Sequence, residues 1–225
     1  MGYAKQTIQA DFDRLALLAD DHGFDHNVYY HDFLLRHLPA RCMNALEVGC
    51  GTGRFARALT RRAEHVLAVD LSPQMIQRAQ AQYSVSNLKF EIGDVREIEL
   101  PAEHFDCIVS IATLHHLPLE AVLLKLKRAL RPTGVLAVLD LYRAEGLVDY
   151  ALSAAALPVS VALRVSKTGR LRTPRAVREA WAEHECHDSY LTLTEIRQLC
   201  AASLPGATLR RHLLWRYSII WRKKE

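Results

Sequence analysis

No two of the five cysteines (Cys42, Cys50, Cys107, Cys186 and Cys200) form a C-x-x-C pair, and their number is odd. That disfavours a disulfide framework and a cysteine-built zinc site; reduced thiols in a cytoplasmic protein are expected instead. An apolar leader is lacking too, because Asp11, Asp13 and Arg14 interrupt the N-terminal stretch, so no secretory signal is expected. The longest uncharged run, Tyr150 to Leu163, is short for a bilayer and contains Pro158, so no membrane span is expected. Neither sign of charge dominates. With 29 bases against 25 acids the formal charge is +4, which does not by itself indicate nucleic acid as a partner. Internal repeats and low-complexity stretches are absent as well. Half of the 225 residues are hydrophobic, enough to bury a sizeable core in a single domain spanning residues 1–225.

What the chain does have is a glycine-rich turn after a short apolar run: Ala45-Leu46-Glu47-Val48-Gly49-Cys50-Gly51-Thr52-Gly53-Arg54. Alternate glycines allow a tight backbone turn and let a ligand approach without a Cβ in the way. Such a strand-to-helix turn places a small-molecule site at the carboxyl end of a central strand. The nicotinamide fingerprint G-x-G-x-x-G is not met, since Arg54 stands where its third glycine would be.

Strand and helix patterns alternate around this turn. Strands are expected near 45–49, 65–70, 88–92, 105–111 and 135–141, with helices near 54–62, 73–83 and 119–130, and Arg131 to Gly134 as a turn. Ser72 before Pro73 suits an N-cap with proline in the first turn. This alternation implies βαβ units with right-handed crossovers and a parallel sheet. Residues 143–190 break the rhythm. An apolar stretch is followed by Arg164, Lys167, Arg170, Arg172, Arg175 and Arg178 with no intervening acid, which reads as a small helical cap insertion with a basic loop. A helix over Thr194 to Ala202, capped by Thr194, and a terminal pair of strands ending at Lys224 complete the chain.

The E-x-G-x-G-x-G of Glu47, Gly49, Gly51 and Gly53 resembles motif I of the class I S-adenosylmethionine-dependent methyltransferases. The likeness covers roughly 40–142 and 190–225 and matches the insertion poorly. It implies a Rossmann-like α/β fold: a seven-stranded, mostly parallel sheet with an antiparallel terminal hairpin and helices on both faces. By the same resemblance the loop, including Cys50, wraps the aminoacid part of S-adenosylmethionine, with S-adenosylhomocysteine as product. Asp70, 21 residues after Gly49, can accept the ribose hydroxyls as an acid does in dinucleotide sites. The likeness extends to Leu71 and Met75 at the adenine face and to Asp94, flanked by Gly93 and Val95, at the adenine amino group. Ser110 opens a segment that passes the methionyl end of the cofactor. Residues 1–40 read as a helical lid with Tyr30 at the cofactor and His31 at the acceptor; the same residues also suit an amphipathic helix with Phe33, Leu34 and Leu38 inward.

Catalysis is expected from His115 with Asp140. A His ending one strand and an Asp ending its neighbour can meet across the pocket, the carboxylate orienting an imidazole that takes a proton from an acceptor hydroxyl or amine. Alignment of acceptor, methyl and sulfur without a dedicated base stands as the other mechanism. His31, His116 and Tyr142 are placed at the substrate. His184 and His187 are spaced to share a helix face, but no second ligand pair accompanies them and no metal is expected. The basic run suits either a solvated face or an anionic substrate. The expected function is methyl transfer to an O or N atom of a small, partly hydrophobic molecule, by a monomer or homodimer. An RNA methyltransferase and a non-catalytic cofactor sensor are the alternatives. N-P-P-Y-like residues are missing after the fourth strand, which disfavours base and glutamine amide nitrogens as acceptors.

Overall fold

The computed structural model describes residues 5–18, 25–186 and 188–225. Phe24, in the segment expected to form the lid, and His187 lie outside them. In chain order the elements are α1 (Lys5–Leu18), a 3-10 turn (His26–Tyr30), α2 (His31–His37), β1 (Cys42–Val48), α3 (Arg54–Leu59), β2 (Ala63–Asp70), α4 (Pro73–Gln82) and β3 (Leu88–Ile92). There follow β4 (Phe105–Ile111), a short 3-10 turn (Leu114–His116), α5 (Leu119–Ala129), β5 (Leu130–Leu141), α6 (Leu147–Thr168), α7 (Arg175–Glu185), α8 (Leu193–Ser203), β6 (Thr208–Arg211) and β7 (Arg216–Arg222). The seven strands form one sheet in the order β3-β2-β1-β4-β5-β7-β6. β1 to β5 run parallel, and β7 pairs antiparallel with both β5 and β6.

Alternation along the strands divides the core in two, because successive side chains leave a strand on opposite faces. Leu46, Val48, Ile108, Leu136 and Val138 point one way, under Val122, Leu123 and Leu126 of α5 and Leu193 and Ile196 of α8. Ala45, Cys107, Val109, Ala137 and Leu139 point the other way, under Leu34 of α2, Phe55 and Leu59 of α3 and Ile76 of α4. Each such leucine or isoleucine contributes about 1.5–3 kcal/mol on burial. Even α3, six residues long, is therefore held firmly by its inward side chains.

The register aligns the carboxyl ends of the central strands. Val48 pairs with Val69 and with Ser110, and Ser110 pairs with Val138. Gly49, Asp70 and Ile111, just beyond that row, and Asp140, one residue further along β5, rim one end of the sheet. Strand order reverses between β1 and β4, and a crevice opens outside the carboxyl ends there.

Local differences from the sequence expectations have local causes. The segment Arg131 to Gly134 belongs to β5 rather than preceding it, but its ladder is interrupted: Phe105 pairs with Leu130, and pairing resumes only at Cys107 and Val135. The helix after the glycine loop ends at Leu59, short of Arg62. The cap of α8 is Thr192, not Thr194. Its Oγ1 accepts from the Glu195 N–H at 3.2 Å while the Glu195 carboxylate accepts from the Thr192 N–H at 2.7 Å, a reciprocal capping box.

The glycine loop is fixed by its surroundings. Gly49 has φ +73°, and a Cβ built there would lie 2.0 Å from Thr113 Oγ1. Gly49→Ala would meet both a left-handed backbone and a collision with the chain after β4. Its expected cost is about 2 kcal/mol or more, read as a lower urea midpoint with an unchanged m-value. An unaltered midpoint would show that the loop rearranges freely.

Candidate active site

A cleft of about 1460 Å3 opens at the carboxyl ends of the strands. Ligand pockets usually run to roughly 300–1,000 Å3, so there is room for two ligands. One side is built from the β1–α3 loop and the ends of β2 and β3. Glu47, Gly49, Cys50 and Gly51 line it, together with Asp70, Leu71, Met75, Gly93, Asp94 and Val95. Asp70 holds the loop in place: its carboxylate accepts from the Gly51 N–H at 2.7 Å and from the Ser72 N–H at 2.9 Å. Burial raises its pKa, and those two backbone donors oppose the rise. Glu47 is also buried, and burial pushes it well above the ordinary glutamate range. Asp94 is clamped by Arg96, whose Nε donates to Oδ1 at 3.0 Å and Nη2 to Oδ2 at 2.6 Å, with Lys5 Nζ 3.6 Å away. Burial acts to raise Asp94, but Arg96 outweighs it and the net shift is downward.

Across the cleft stands a wall of histidines and carboxylates. His115 Nδ1 lies 2.6 Å from Asp140 Oδ1, and the His115 N–H donates to Asp140 Oδ2 at 3.0 Å. Asp140 is fully buried behind the histidine and also accepts the Leu141 N–H. His115 Nε2 faces Asp188 Oδ2 at 3.9 Å. Asp188 in turn sits 3.1 Å from His116 Nδ1, 3.6 Å from His184 Nε2, and 2.7 Å from the donating Tyr190 hydroxyl. Phe12 of α1 packs edge-on against both His116 and His184. Burial lowers the His116 pKa more than Asp188 raises it. Burial works to raise Asp188, but the hydrogen bonds from His116 and Tyr190 and the nearby imidazoles outweigh it and hold the carboxyl at about 2.

Residues 46–138 match a methyltransferase domain family. An uncharacterized methyltransferase of Mycobacterium tuberculosis is 31% identical over 206 residues, covering 90% of this chain and 98% of that protein. The chain belongs to the class I S-adenosylmethionine-dependent methyltransferases. It is an enzyme of that class. A malonyl-[acyl-carrier protein] O-methyltransferase of Serratia marcescens is 29% identical over 161 residues, 70% of this chain and 51% of that one. In fold, the methyltransferase is similar to the N-methyltransferase NodS of Bradyrhizobium japonicum, solved with S-adenosylhomocysteine (TM-score 0.64, 18% identity, 96% and 98% of the two chains).

Several residues assigned to the methyltransferase's site from sequence lie elsewhere. The Tyr30 hydroxyl donates to the Leu213 carbonyl and its ring packs on His212, away from the cleft lining. Ser110 is buried and donates to the Val48 carbonyl, tying β4 to β1. Gly53 is a packing residue, where a Cβ would come 2.6 Å from the Phe90 ring. His31, His116 and Tyr142 do line the cleft. So does Phe12, because α1 packs on α4 and α7. Phe12, Tyr190, Trp181 and Trp215 escaped the sequence reading. Asp188 closes the stretch from His184, which suits an active-site rim or a polar helix end, but nothing in the sequence says that it folds back onto His115 and His116, 73 and 72 positions earlier. Among the described residues, His115, His116 and Asp188 bring ligand-type atoms within 4.8 Å of one another. That grouping differs from the His184 and His187 pair suggested by spacing.

The Asp188 cluster gives the methyltransferase a testable acid sensitivity. Because its pKa is depressed from 3.8 to about 2, its contribution is complete above the unfolded value and is lost as pH falls through the folded one. At neutral pH, Asp188→Asn is expected to be less stable than the parent by about 2 kcal/mol. Urea titrations at stepped pH should show that gap closing between pH 3.8 and about 2. A gap independent of pH would assign the loss to packing instead.

Proposed function

We propose that this methyltransferase binds S-adenosylmethionine in the glycine-loop half of the cleft and methylates a hydroxyl or amine of a small molecule held against the histidine wall. The reading rests on the His115–Asp140 pair, 2.6 Å apart, with His115 lining the cleft.

The cofactor half fits the group. Glu47 Oε2 is buried without a hydrogen-bond partner, an acceptor suited to the ammonium of the aminoacid tail. A Cβ built at Gly51 meets nothing within 4 Å, so the loop leaves open space at that glycine, which lines the cleft as Glu47 does. Asp70, accepting two backbone N–H groups, retains lone pairs for ribose hydroxyls. The bound cofactor supplies an electrophilic methyl on a sulfonium. The protein's part is to align the acceptor and to take its proton.

In this mechanism Asp140 accepts the His115 Nδ1 proton, which leaves a lone pair on Nε2, the nitrogen 3.9 Å from Asp188 in the cleft lining. That nitrogen would take the proton of the acceptor held against it. Asp140 then stabilises the imidazolium. Phe12, Trp181 and Trp215 offer aromatic surface to the acceptor body, while Arg164, Arg170, Arg172 and Arg178 also line the cleft and suit an anionic group on it. Most apolar side chains of α6 turn outward and none lines the cleft, so the aromatic lining is what supports an acceptor that is partly hydrophobic.

Incubation with methyl-labelled S-adenosylmethionine and a fractionated cell extract tests the proposal. Label in the small-molecule fraction, lost in His115→Ala, is the expected result. Label in RNA would make the basic surface a phosphate clamp and overturn it.

A further inference from the structure

Helix α6 is built inside out. Between residues 147 and 165 every exposed position is apolar, including Leu147, Tyr150, Leu157, Val161 and Val165, whereas the buried positions are Asp149, Ala156 and Ser160. A surface helix of a soluble domain ordinarily does the reverse. The inward polar groups are engaged: Asp149 pairs with Arg211 at 3.0 Å, and Ser160 Oγ lies 2.8 Å from His26 Nε2. The helix is thus pinned to the body by its polar stripe and presents an apolar arc outward. Leu147 is 89% exposed and Leu157 59%.

We infer that this face lies on the surface of an anionic bilayer. Charge identifies the occupant. From residue 150 to residue 178 there are six cations and no acid. Lys167, Arg170, Arg172 and Arg178 border the cleft and are at the same time exposed to solvent where α6 ends and α7 begins, alongside the exposed Leu171. The adjoining acids are engaged, Asp149 by Arg211 and Glu179 by Arg175. An apolar helical face edged by a cationic run is the pattern of an interfacial helix. Each cation adds attraction to anionic headgroups within a Debye length of the surface.

By length and composition α6 is also long and apolar enough to cross a membrane. Spanning would tear Asp149 from Arg211 and Ser160 from His26, so the helix lies on the surface rather than through it. The inference does not depend on the methyl acceptor, since vesicle binding is read without turnover.

The test is co-sedimentation of the full chain with vesicles of phosphatidylcholine alone or mixed with phosphatidylglycerol. Binding to the mixed vesicles only, weakened by salt, is expected. Leu157→Asp combined with Val161→Asp should reduce partitioning by roughly tenfold or more, with S-adenosylhomocysteine affinity by calorimetry retained as a check on folding. Tyr150→Asp probes the other end of the face should the double variant fail that check. Wild-type protein that stays in the supernatant, or variants that sediment like wild type, would overturn the inference. So would a wild-type dimer that ignores vesicles and becomes monomeric in the variant, which would make a second copy the occupant.

Discussion

Replacing His115 with alanine is expected to cut kcat by roughly two to four orders of magnitude, the usual worth of a positioned general base, with little change in cofactor affinity. The side chain lines the cleft, with Asp140 holding Nδ1 at 2.6 Å and Nε2 standing 3.9 Å from Asp188. Asp140→Asn should approach the same loss by a different route. An asparagine amide turned toward Nδ1 would donate rather than accept, moving the imidazole proton to Nε2 and removing the lone pair that takes the acceptor's proton. The readouts are kcat against KM, the pH–rate profile, and rescue of His115→Ala by added imidazole. Catalysis by alignment alone would leave both variants near normal turnover, and that result would dismiss the base. A structural role would instead lower Tm, leave kcat in the folded fraction intact and give no imidazole rescue.

Asp70→Asn is expected to weaken S-adenosylmethionine binding by about 3 kcal/mol, a factor of roughly 100, because two charge-assisted hydrogen bonds to ribose weaken or reverse. Calorimetry with S-adenosylhomocysteine measures this without turnover. Stability of the unliganded protein should move the other way. The folded pKa of Asp70 is raised by burial, so the native state binds the proton more tightly than the unfolded chain. Stability from this group therefore falls as pH rises from 3.8 through the folded value, and the whole penalty is present above it. An asparagine does not carry that penalty, so the variant's Tm should hold or rise at neutral pH while the ligand is lost. A variant that loses binding and stability together would mean that Asp70 serves chiefly to hold Gly51 and Ser72.

The glycine-loop side of the cleft was legible because its residues are local. Glu47 to Gly53 is one turn, Asp70 and Asp94 each follow a recognisable strand, and parallel pairing in register brings strand ends together without further information. His115 and Asp140 were legible for the same reason, one in the turn after β4 and the other near the end of the adjacent β5. Their meeting follows from the β4–β5 ladder, in which Ile111 pairs with Leu139. Tyr30, Ser110 and Gly53 misled because residue type and neighbourhood do not set side-chain direction. Ser110 occupies a strand position facing the core, and the Tyr30 hydroxyl found the Leu213 carbonyl.

The sequence by itself determined the alternation of strands and helices, the glycine turn and the acids at the strand ends, since hydrophobic period and backbone sterics act over a few residues. Only the tertiary structure decided that Asp188 and Phe12 complete the histidine wall, and that α6 carries its polar side chains inward. Those outcomes depend on how α1, α6 and α7 dock on the sheet. Docking is set by contacts such as Asp149 with Arg211 and Ser160 with His26, which join residues 62 and 134 positions apart. No local period records a contact of that range.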